Sequence, residues 1–359
     1  MMAINPKILF ILKRREDYNS IIHKPEGMST GLYNSANYVN KMLLHEGMDS
    51  VMEVAIDNNC IDRLVTKHKP THVIIEALWV VPSKFAELIP LHPNVKWIIR
   101  LHSELPFMAG EGVAMNWLGD YVTFPQINIG INAPRMLEEI RSYLSIKNNW
   151  NRKQEQERVI YLPNYYPQLY NKKKFNNKKE HIDVACFGAV RLLKNHLLQA
   201  VSALKFADSI GKKLHFHING DRIEMKGDPV LHNIKGLFMQ LTDTGHKLIL
   251  HQWKSKDDFL KICAEMDIGM QCNFSETFNI VSADLISQGV PIIGSEEIPW
   301  SSFIFNAAPS HSDSICNALY MTYKLPYLNV LLNQNNLTRY TNKTRQVWLK
   351  YFKQYAQNT

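Results

Sequence analysis

The sequence contains no long apolar run, which excludes a membrane-spanning helix of ordinary length. No stretch of the 359 residues approaches the ~20 apolar residues that a bilayer span requires. The opening segment has only a short apolar core at residues 8–12, and basic side chains follow it. That pattern predicts a first buried strand rather than a signal peptide.

Cysteine is sparse, and its placement excludes both a disulfide framework and a zinc finger. The cysteines are odd in number, scattered, and not spaced like metal ligands. We therefore expect reduced thiols in a cytoplasmic protein. No Asp-x-Asp cluster occurs either, so the sequence predicts neither a metal nor a cofactor. The five cysteines are Cys60, Cys186, Cys263, Cys272 and Cys316.

The composition is that of a globular protein, and the length favours two domains. Hydrophobic residues make up 45% and charged residues 21% of the chain, while a single core rarely extends this far. The net charge is +8, and much of it lies in one asparagine-rich stretch. Such a run is either a solvated linker or a surface for a polyanion or an anionic membrane. Its lysines are Lys172, Lys173, Lys174, Lys178 and Lys179.

Strand and helix patterns alternate along the whole chain. In the first half we predict strands at residues 8–12, 50–55, 73–75, 96–101 and 127–131, and helices at 35–44, 61–67, 79–88 and 134–144. In the second half we predict strands at 184–187, 214–218, 248–251, 268–271 and 291–293, and helices at 197–207, 231–241, 257–266 and 281–287. This alternation predicts an α/β protein with parallel sheets and helices on both faces.

Residues 275–294, SETFNIVSADLISQGVPIIG, are the most informative segment. Glu276 stands eight residues before Asp284, and Gly289 introduces a short apolar run that starts at Pro291. The pattern predicts a loop, a helix, a turn and a buried strand. Because the first N–H groups of a helix are unpaired and its dipole favours negative charge, this helix start is a candidate anion site.

Residues 181–198, HIDVACFGAVRLLKNHLL, form a second candidate segment. A short apolar strand ends at Gly188, and a loop with Arg191 and Lys194 leads into a helix. A guanidinium or an ammonium neutralises phosphate oxygens through charge-assisted hydrogen bonds. The alternative is an ordinary solvated start of a basic helix.

The two segments together resemble retaining nucleotide-sugar glycosyltransferases of family 4, which have the GT-B fold of two Rossmann-like domains facing a central cleft. That family carries Glu-x7-Glu before a Gly-Val-Pro strand start, and here Asp284 replaces the second Glu. Lys194 matches the family's phosphate-binding Lys. The family's phosphate-binding Arg is replaced by Ala189, and Arg191 is displaced from that position by two residues.

Further segments match the family in the expected order. Residues 97–104, WIIRLHSE, contain His102 where the family has a His that faces the donor sugar. Residues 159–167, VIYLPNYYP, resemble the strand that precedes the crossing into the second domain. Residues 248–270 resemble the part that holds the nucleotide base, and residues 27–31, GMSTG, resemble a Gly-rich loop near the donor. The resemblance covers most of residues 1–310.

The resemblance implies a role for each candidate side chain. Glu276 would orient the donor sugar and His102 would contact it near the reacting centre, which makes these two the catalytic candidates. Lys194 and Arg191 would bind the diphosphate, and Asp284 would bind the ribose. The other donor-binding candidates are Gly31, Trp253, Phe278, Asn279 and Ile280. The family needs no metal, and its nucleotide's own phosphate can take the acceptor proton.

The resemblance also implies the domain organisation. An acceptor-side domain would span residues 1–165 and a nucleotide-sugar domain residues 166–330. A helical tail at 331–359 would cross back to the first domain.

The predicted activity is transfer of a sugar, with retention, from a nucleoside diphosphate sugar to a hydroxyl group. A UDP-sugar is the first expectation for the donor. Phrases such as KILFILKRRED and THVIIEALWVVP resemble glycosyltransferases of tailed phages, so one acceptor is a hydroxymethylated pyrimidine in double-stranded DNA. The alternatives are synthesis of surface polysaccharide or lipopolysaccharide, and a non-catalytic protein that binds sugar nucleotides. The oligomeric state stays open.

Overall fold

A computed structural model of the chain describes residues 5–14, 31–176 and 178–358. The described residues form two compact units. The first unit combines residues 5–14, 31–167 and 341–358, and the second combines residues 168–340. The domain boundaries that the sequence suggests, at 165 and 330, stay a prediction.

The first unit is a parallel six-stranded sheet with helices between its strands. The strand order is β2-β1-β3-β4-β5-β6, and every pair is parallel. Its elements are β1 (Lys7–Lys13), α1 (Gly31–His45), β2 (Asp49–Ala55), α2 (Cys60–His68), β3 (His72–Glu76), α3 (Phe85–Leu91), β4 (Lys96–Leu101), α4 (Leu105–Met108), α5 (Ala114–Tyr121), β5 (Ile127–Ile131), α6 (Pro134–Asn148), α7 (Arg152–Arg158) and β6 (Val159–Tyr161).

The second unit is a parallel five-stranded sheet in the order β11-β10-β7-β8-β9. Its elements are β7 (His181–Ala185), α8 (His196–Ser209), β8 (Lys213–Asn219), α9 (Gly227–Met239), β9 (Lys247–His251), α10 (Lys256–Glu265), β10 (Ile268–Gln271), α11 (Ile280–Ser287), β11 (Ile292–Gly294) and α12 (Ser312–Lys324). A final helix, α13 (Pro326–Asn358), begins in the second unit and ends in the first.

Both faces of the first sheet are buried, which explains its nearly continuous apolar strands. In β1, Leu9 and Ile11 belong to one core, and Ile8 and Phe10 belong to the core on the other face. Trp348, near the end of α13, packs in that second core and donates from Nε1 to the carbonyl oxygen of Pro163 at 2.9 Å.

A glycine sets the distance between β10 and α11 in the second unit. A Cβ atom on Gly269 would lie 2.4 Å from Cδ1 of Leu285 and 3.2 Å from Cγ2 of Ile292. Only a residue without a side chain lets α11 approach the strand this closely. The helix start that follows the Glu276 loop is thereby fixed against the sheet.

The predicted α/β class with parallel sheets is confirmed, and one predicted helix needs correction. The sequence predicts a helix at residues 79–88, but a 3₁₀ turn at Pro82–Lys84 comes first and α3 follows it. Val81 is extended, with ψ 135°, because a residue before proline is pushed out of the helical region. Helices α4, α5, α7 and α12 lie outside the predicted ones.

The described helices include none that is both long and apolar enough to cross a membrane. Of the predicted Gly-rich loop, residues 27–30 lie outside the described residues. Gly31 is described as the first residue of α1.

Candidate active site

The candidate site of the second unit begins where β7 ends. Gly188 has φ 115°, a conformation that favours glycine, and its N–H donates to Oδ1 of Asn219 at 2.8 Å. A Cβ atom on Gly188 would lie 3.8 Å from Cε of Lys194 and 4.0 Å from Cγ2 of Val281. The loop after β7 therefore brings Lys194 beside the first turn of α11.

A buried ion pair joins the two sequence motifs. Nζ of Lys194 donates to Oε1 of Glu276, and Nδ2 of Asn273 donates to the same oxygen at 2.9 Å. Both charged side chains are 9% exposed. Burial lowers the pKa of Lys194, while the charge of Glu276 opposes that shift. The ammonium is thus poorly hydrated and depends on a neighbouring anion.

Hydrogen bonds fix the backbone that carries Lys194. Asn195 has φ 55°, and its Nδ2 donates to the carbonyl oxygens of Cys272 at 3.1 Å and Pro309 at 2.6 Å. Nε2 of Gln199 donates to the carbonyl oxygen of Lys194 at 2.8 Å. These contacts tie the loop to α8 and to the end of β10, so Lys194 is held on a rigid support.

Asn279 caps the start of α11 in a left-handed conformation. Its φ is 58° and ψ is 83°, and its Oδ1 accepts from the N–H of Ser282 at 2.8 Å. Asparagine tolerates this conformation better than most residues and is a strong N-cap. Its Nδ2 donates to Oε1 of Gln271 at 2.9 Å, and Nε2 of Gln271 donates to the carbonyl oxygen of Phe187 at 2.8 Å.

Three other donor-binding candidates lie in different surroundings. Phe278 is buried, with its ring 6.0 Å from Trp300 and 5.6 Å from Tyr340, so its backbone is the part that can face a ligand. Ile280 is half-buried as the first residue of α11. Trp253 is half-buried and lies under the guanidinium of Arg222 at 4.3 Å.

Asp284 and Arg191 both have charged partners. Oδ1 of Asp284 pairs with Nζ of Lys256, and Asp284 is 2% exposed. Nη1 of Arg191 lies 3.5 Å from Oε2 of Glu224. Sequence reasoning missed Lys256 because it lies 28 residues away on another helix. The roles of Asp284 in ribose binding and of Arg191 in phosphate binding stay predictions.

In the first unit, His102 directly follows β4 and belongs to a buried polar cluster. Its Nε2 bonds to Oε2 of Glu76, and its Nδ1 lies 3.4 Å from Nδ2 of Asn132. The Glu76 contact indicates that Nε2 carries the proton and that Nδ1 accepts from Asn132. Burial lowers the pKa of His102, while the charge of Glu76 opposes the shift. The lowered pKa favours the neutral form of the ring.

Arg100 holds Glu76 in place. Its Nη1 donates to both carboxylate oxygens of Glu76 at 3.1 Å, and its Nη2 donates to Oδ1 of Asn164 at 2.5 Å. Burial alone would raise the pKa of Glu76, but Arg100 and His102 outweigh it and lower that pKa. Ala77, the next residue, has φ 71°, an uncommon conformation for a non-glycine residue that often accompanies functional sites.

Sequence reasoning missed the Glu76–Arg100 pair, although a signal is visible. In HVIIE, Glu76 ends an apolar run, and in KWIIRL, Arg100 follows two isoleucines well after the exposed Lys96 at the strand start. A charged residue is rarely buried unless it is paired. When two residues of opposite charge stand in such positions on neighbouring strands, an ion pair between them is therefore predicted.

The predicted lysine surface is smaller than the sequence suggests. Nζ of Lys173 donates to the carbonyl oxygens of Ala264 and, at 2.6 Å, of Met266. Lys179 pairs with Asp183 at 2.9 Å. The ammonium groups of these two lysines therefore already have hydrogen-bond or charged partners within the second unit. Those that remain exposed are Lys172, Lys174 and Lys178.

The sequence matches no protein-family model and no curated protein. Solved structures do match along nearly the whole chain. The N-terminal domain of a Candida albicans trehalose-6-phosphate phosphatase has a TM-score of 0.66 at 10% identity, with 99% of this chain and 98% of that chain covered. A sucrose-phosphate synthase from Thermosynechococcus elongatus has a TM-score of 0.66 at 12% identity, with 98% of this chain and 100% of that chain covered. A UDP-forming α,α-trehalose-phosphate synthase from Burkholderia vietnamiensis has a TM-score of 0.63 at 8% identity, with 98% of this chain and 97% of that chain covered.

At such low identity these likenesses establish the fold. The chain has the two parallel α/β sheets of GT-B glycosyltransferases, as the sequence motifs predict. A fold alone does not define an activity, which has to be argued from the residues of the site.

Proposed function

We propose that this protein is a retaining glycosyltransferase that moves a sugar from a nucleoside diphosphate sugar, with UDP as the first candidate nucleotide, to a hydroxyl group. The observation that carries the proposal is the buried Lys194–Glu276 pair beside Gly188 and the start of α11. The fold shared with a synthase described as UDP-forming supports the choice of nucleotide.

The ion pair is proposed to exchange partners when the donor binds. Glu276 is the counter-ion of Lys194 in the structure. A diphosphate would replace it, because an ammonium in a poorly hydrated place interacts strongly with phosphate charge. Glu276 would then accept hydrogen bonds from the hydroxyls of the donor sugar. Lys194 would stabilise the leaving diphosphate as the glycosidic bond breaks.

His102 is proposed to contact the sugar near the reacting carbon. Glu76 orients the neutral ring through Nε2. The contact of Nδ1 with Asn132 is long, at 3.4 Å, so a sugar hydroxyl can replace it at little cost. A leaving phosphate oxygen would take the proton of the acceptor hydroxyl, because no described side chain of either cluster stands out as a general base.

A donor panel tests this function. The full-length protein is incubated with UDP-, GDP- and ADP-sugars, and release of nucleotide and the anomeric configuration of the product are measured. We expect turnover of one donor with retention. Glu276→Gln should lower turnover far more than it lowers binding of the bare nucleoside diphosphate, because a sugar contact matters only while the sugar is present. Binding without turnover for every donor would instead favour a non-catalytic sugar-nucleotide-binding protein.

The proposed acceptor is a hydroxymethylated pyrimidine in double-stranded DNA, and the proposed location is the cytoplasm of a phage-infected host cell. The net charge of +8 and the exposed Lys172, Lys174 and Lys178 support this choice. A hydroxymethylated duplex should become labelled by the active donor, and an unmodified duplex should not. If neither duplex is labelled, the acceptor is better sought among surface polysaccharides and lipopolysaccharides.

A further inference from the structure

Histidines and one aspartate gather on a single face of the second sheet. His181 and Asp183 are two residues apart on β7, and His215 and His217 are two apart on β8. Alternate residues of a strand point to the same face. Asp183 is the register partner of His215, so the side chains of the two strands meet across the ladder.

Three of these side chains have the geometry of metal ligands. Nε2 of His181 lies 3.3 Å from Oδ2 of Asp183, and Nδ1 of His215 lies 3.3 Å from Oδ1. All three ligand atoms lie within 4.8 Å of one another. Tetrahedral zinc with bonds of about 2.1 Å has ligand atoms separated by about 3.4 Å. Only small side-chain movements are therefore needed to accept an ion.

His217 contacts the carboxylate of Asp183, and His251 in turn holds His217. Nε2 of His217 lies 3.2 Å from Oδ1 of Asp183, and Nδ1 of His217 lies 2.8 Å from Nε2 of His251. Because the carboxylate can only accept, His217 carries its proton on Nε2 and accepts from Nε2–H of His251. Hydrogen bonds of this kind hold metal ligands in position.

Lys179 competes with a cation for Asp183 but has another partner. Its Nζ lies 2.9 Å from Oδ2 of Asp183 and 3.1 Å from both carboxylate oxygens of Asp267. When a cation binds Asp183, the ammonium can therefore stay with Asp267. The cations of Lys212 and Lys247 also lie near this end of the sheet.

The cluster is open to solvent on one side. The side chains of His181, His215 and Asp183 are 37%, 20% and 14% exposed. A small surface pocket borders His181, Lys212 and Asp267. An ion can reach the ligands, and a water molecule can complete a four-coordinate shell.

We propose that His181, Asp183 and His215 bind one Zn²⁺ ion that stabilises the second unit. Two imidazoles and a carboxylate suit zinc among the common divalent metals. The ligands lie in the amino-terminal parts of β7 and β8, whereas Gly188 and Asn219 mark the carboxyl ends of these strands. The ion therefore takes no part in the proposed sugar transfer.

Metal binding by the full-length, tag-free protein tests the proposal. After treatment with EDTA and its removal, Zn²⁺ is titrated by calorimetry, and Co²⁺ is added separately as a spectroscopic probe. We expect one Zn²⁺ per chain, a rise of several degrees in the melting temperature, and the visible absorption of tetrahedral Co²⁺ without a thiolate band. His181→Asn and His215→Asn should each weaken binding at least about 10–100-fold, the loss typical even for groups that only support a ligand.

Two further variants keep the test decisive. His232→Asn changes an exposed histidine of α9 and should leave Zn²⁺ affinity and stoichiometry unchanged. Lys179→Gln removes the competing ammonium and should preserve or strengthen binding. Each variant is first shown to have the same melting temperature as the wild type in EDTA. If His215→Asn does not fold, His181→Asn, which changes a more exposed side chain, tests the site by itself. No stoichiometric binding, or equal binding by the wild type and both ligand variants, would overturn the proposal.

Discussion

At the residue scale, the candidate site depends on charges that are buried in pairs. Lys194 and Glu276 have little water around them, so each requires the other or a ligand. Removing one member of such a pair leaves the other charge uncompensated. Substitutions here should therefore be judged by ligand binding and stability together.

Lys194→Ala should weaken binding of a nucleoside diphosphate by about 1.5–3 kcal/mol, the range for a hydrogen bond to a charged group. Calorimetry with UDP checks this value. Lys205→Ala is the matched control, because Lys205 lies on the neighbouring α8 but is exposed and pairs with Asp313. Unchanged affinity in a folded Lys194→Ala protein would remove this lysine from the site.

His72 should make the first unit sensitive to acid. It begins β3, and its ring packs 5.1 Å from the ring of Phe352. Burial, assisted by the charge of Lys96, lowers the pKa of His72 from 6.5 to about 4. The unfolded chain then binds more protons than the folded one between these values, so stability falls as the pH drops from about 6.5 to 4.

Each such histidine contributes at most about 1.4 kcal/mol per pH unit in that window. His72→Phe keeps an aromatic ring and removes the titrating group. We expect the free energy of unfolding, measured in urea at several pH values, to depend less steeply on pH in the variant. Parallel curves for both proteins would show that His72 does not titrate in this way.

Some residues of the site could be predicted from the sequence and others could not. Lys194 and Glu276 were found because their spacing to Gly188 and Pro291 is a local pattern. The Lys256–Asp284 pair joins positions 28 residues apart on separate helices, and no local pattern contains that information. A motif can therefore single out an acid as a candidate, whereas the partner of that acid depends on the packing of the chain.

At the scale of elements, strands were easier to predict than helices. Strands β4, β5 and β10 have the predicted bounds, because buried parallel strands are short apolar runs with polar ends. Helix α7 has no buried residue, so it lacks the apolar stripe on which prediction depends. Its stability at the start comes from a capping box between Asn151 and Gln154.

Gly269→Ala should disturb the placement of α11. The new methyl group would meet Cδ1 of Leu285 at 2.4 Å, and overpacking of this kind costs typically 1–3 kcal/mol, here taken as about 2. Both the free energy of unfolding and UDP affinity should fall, because the first turn of α11 belongs to the site. Denaturant unfolding and calorimetry measure the two effects.

Gly236→Ala is the control for that substitution. Gly236 lies within α9, and apart from its chain neighbours and the nearby backbone of that helix, nothing lies within 4 Å of its added Cβ. Alanine is favoured over glycine in a helix by up to about 1 kcal/mol, so this variant should be more stable and bind UDP normally. Equal effects of the two substitutions would contradict the close packing of α11 on β10.

At the scale of the whole molecule, net charge is a weaker guide than the placement of each charge. The chain carries +8, yet Lys173 and Lys179 are already engaged by carbonyl and carboxylate oxygens. Their charges are less available to an external polyanion. The proposed DNA contact therefore depends on three exposed lysines rather than on the whole run.

Replacing Lys172, Lys174 and Lys178 by Gln should weaken binding to duplex DNA and flatten its dependence on salt. Each phosphate contact contributes about 0.9 to the slope of log K against log salt concentration, so loss of three contacts should lower that slope by about 2–3. Fluorescence anisotropy between about 50 and 200 mM salt measures this slope. Donor hydrolysis should remain, because these side chains are not among the proposed donor contacts.

A second triple variant separates local contact from total charge. Lys153, Lys235 and Lys261 are exposed and lie on three different helices. Replacing them by Gln lowers the net charge by the same amount, from +8 to +5, because three positive charges are removed in each variant. If the lysines of the run contact phosphates, this control should keep nearly the full salt slope. Equal loss in both variants would mean that DNA responds only to overall charge, and absence of DNA binding at low salt would direct the search to a glycan acceptor.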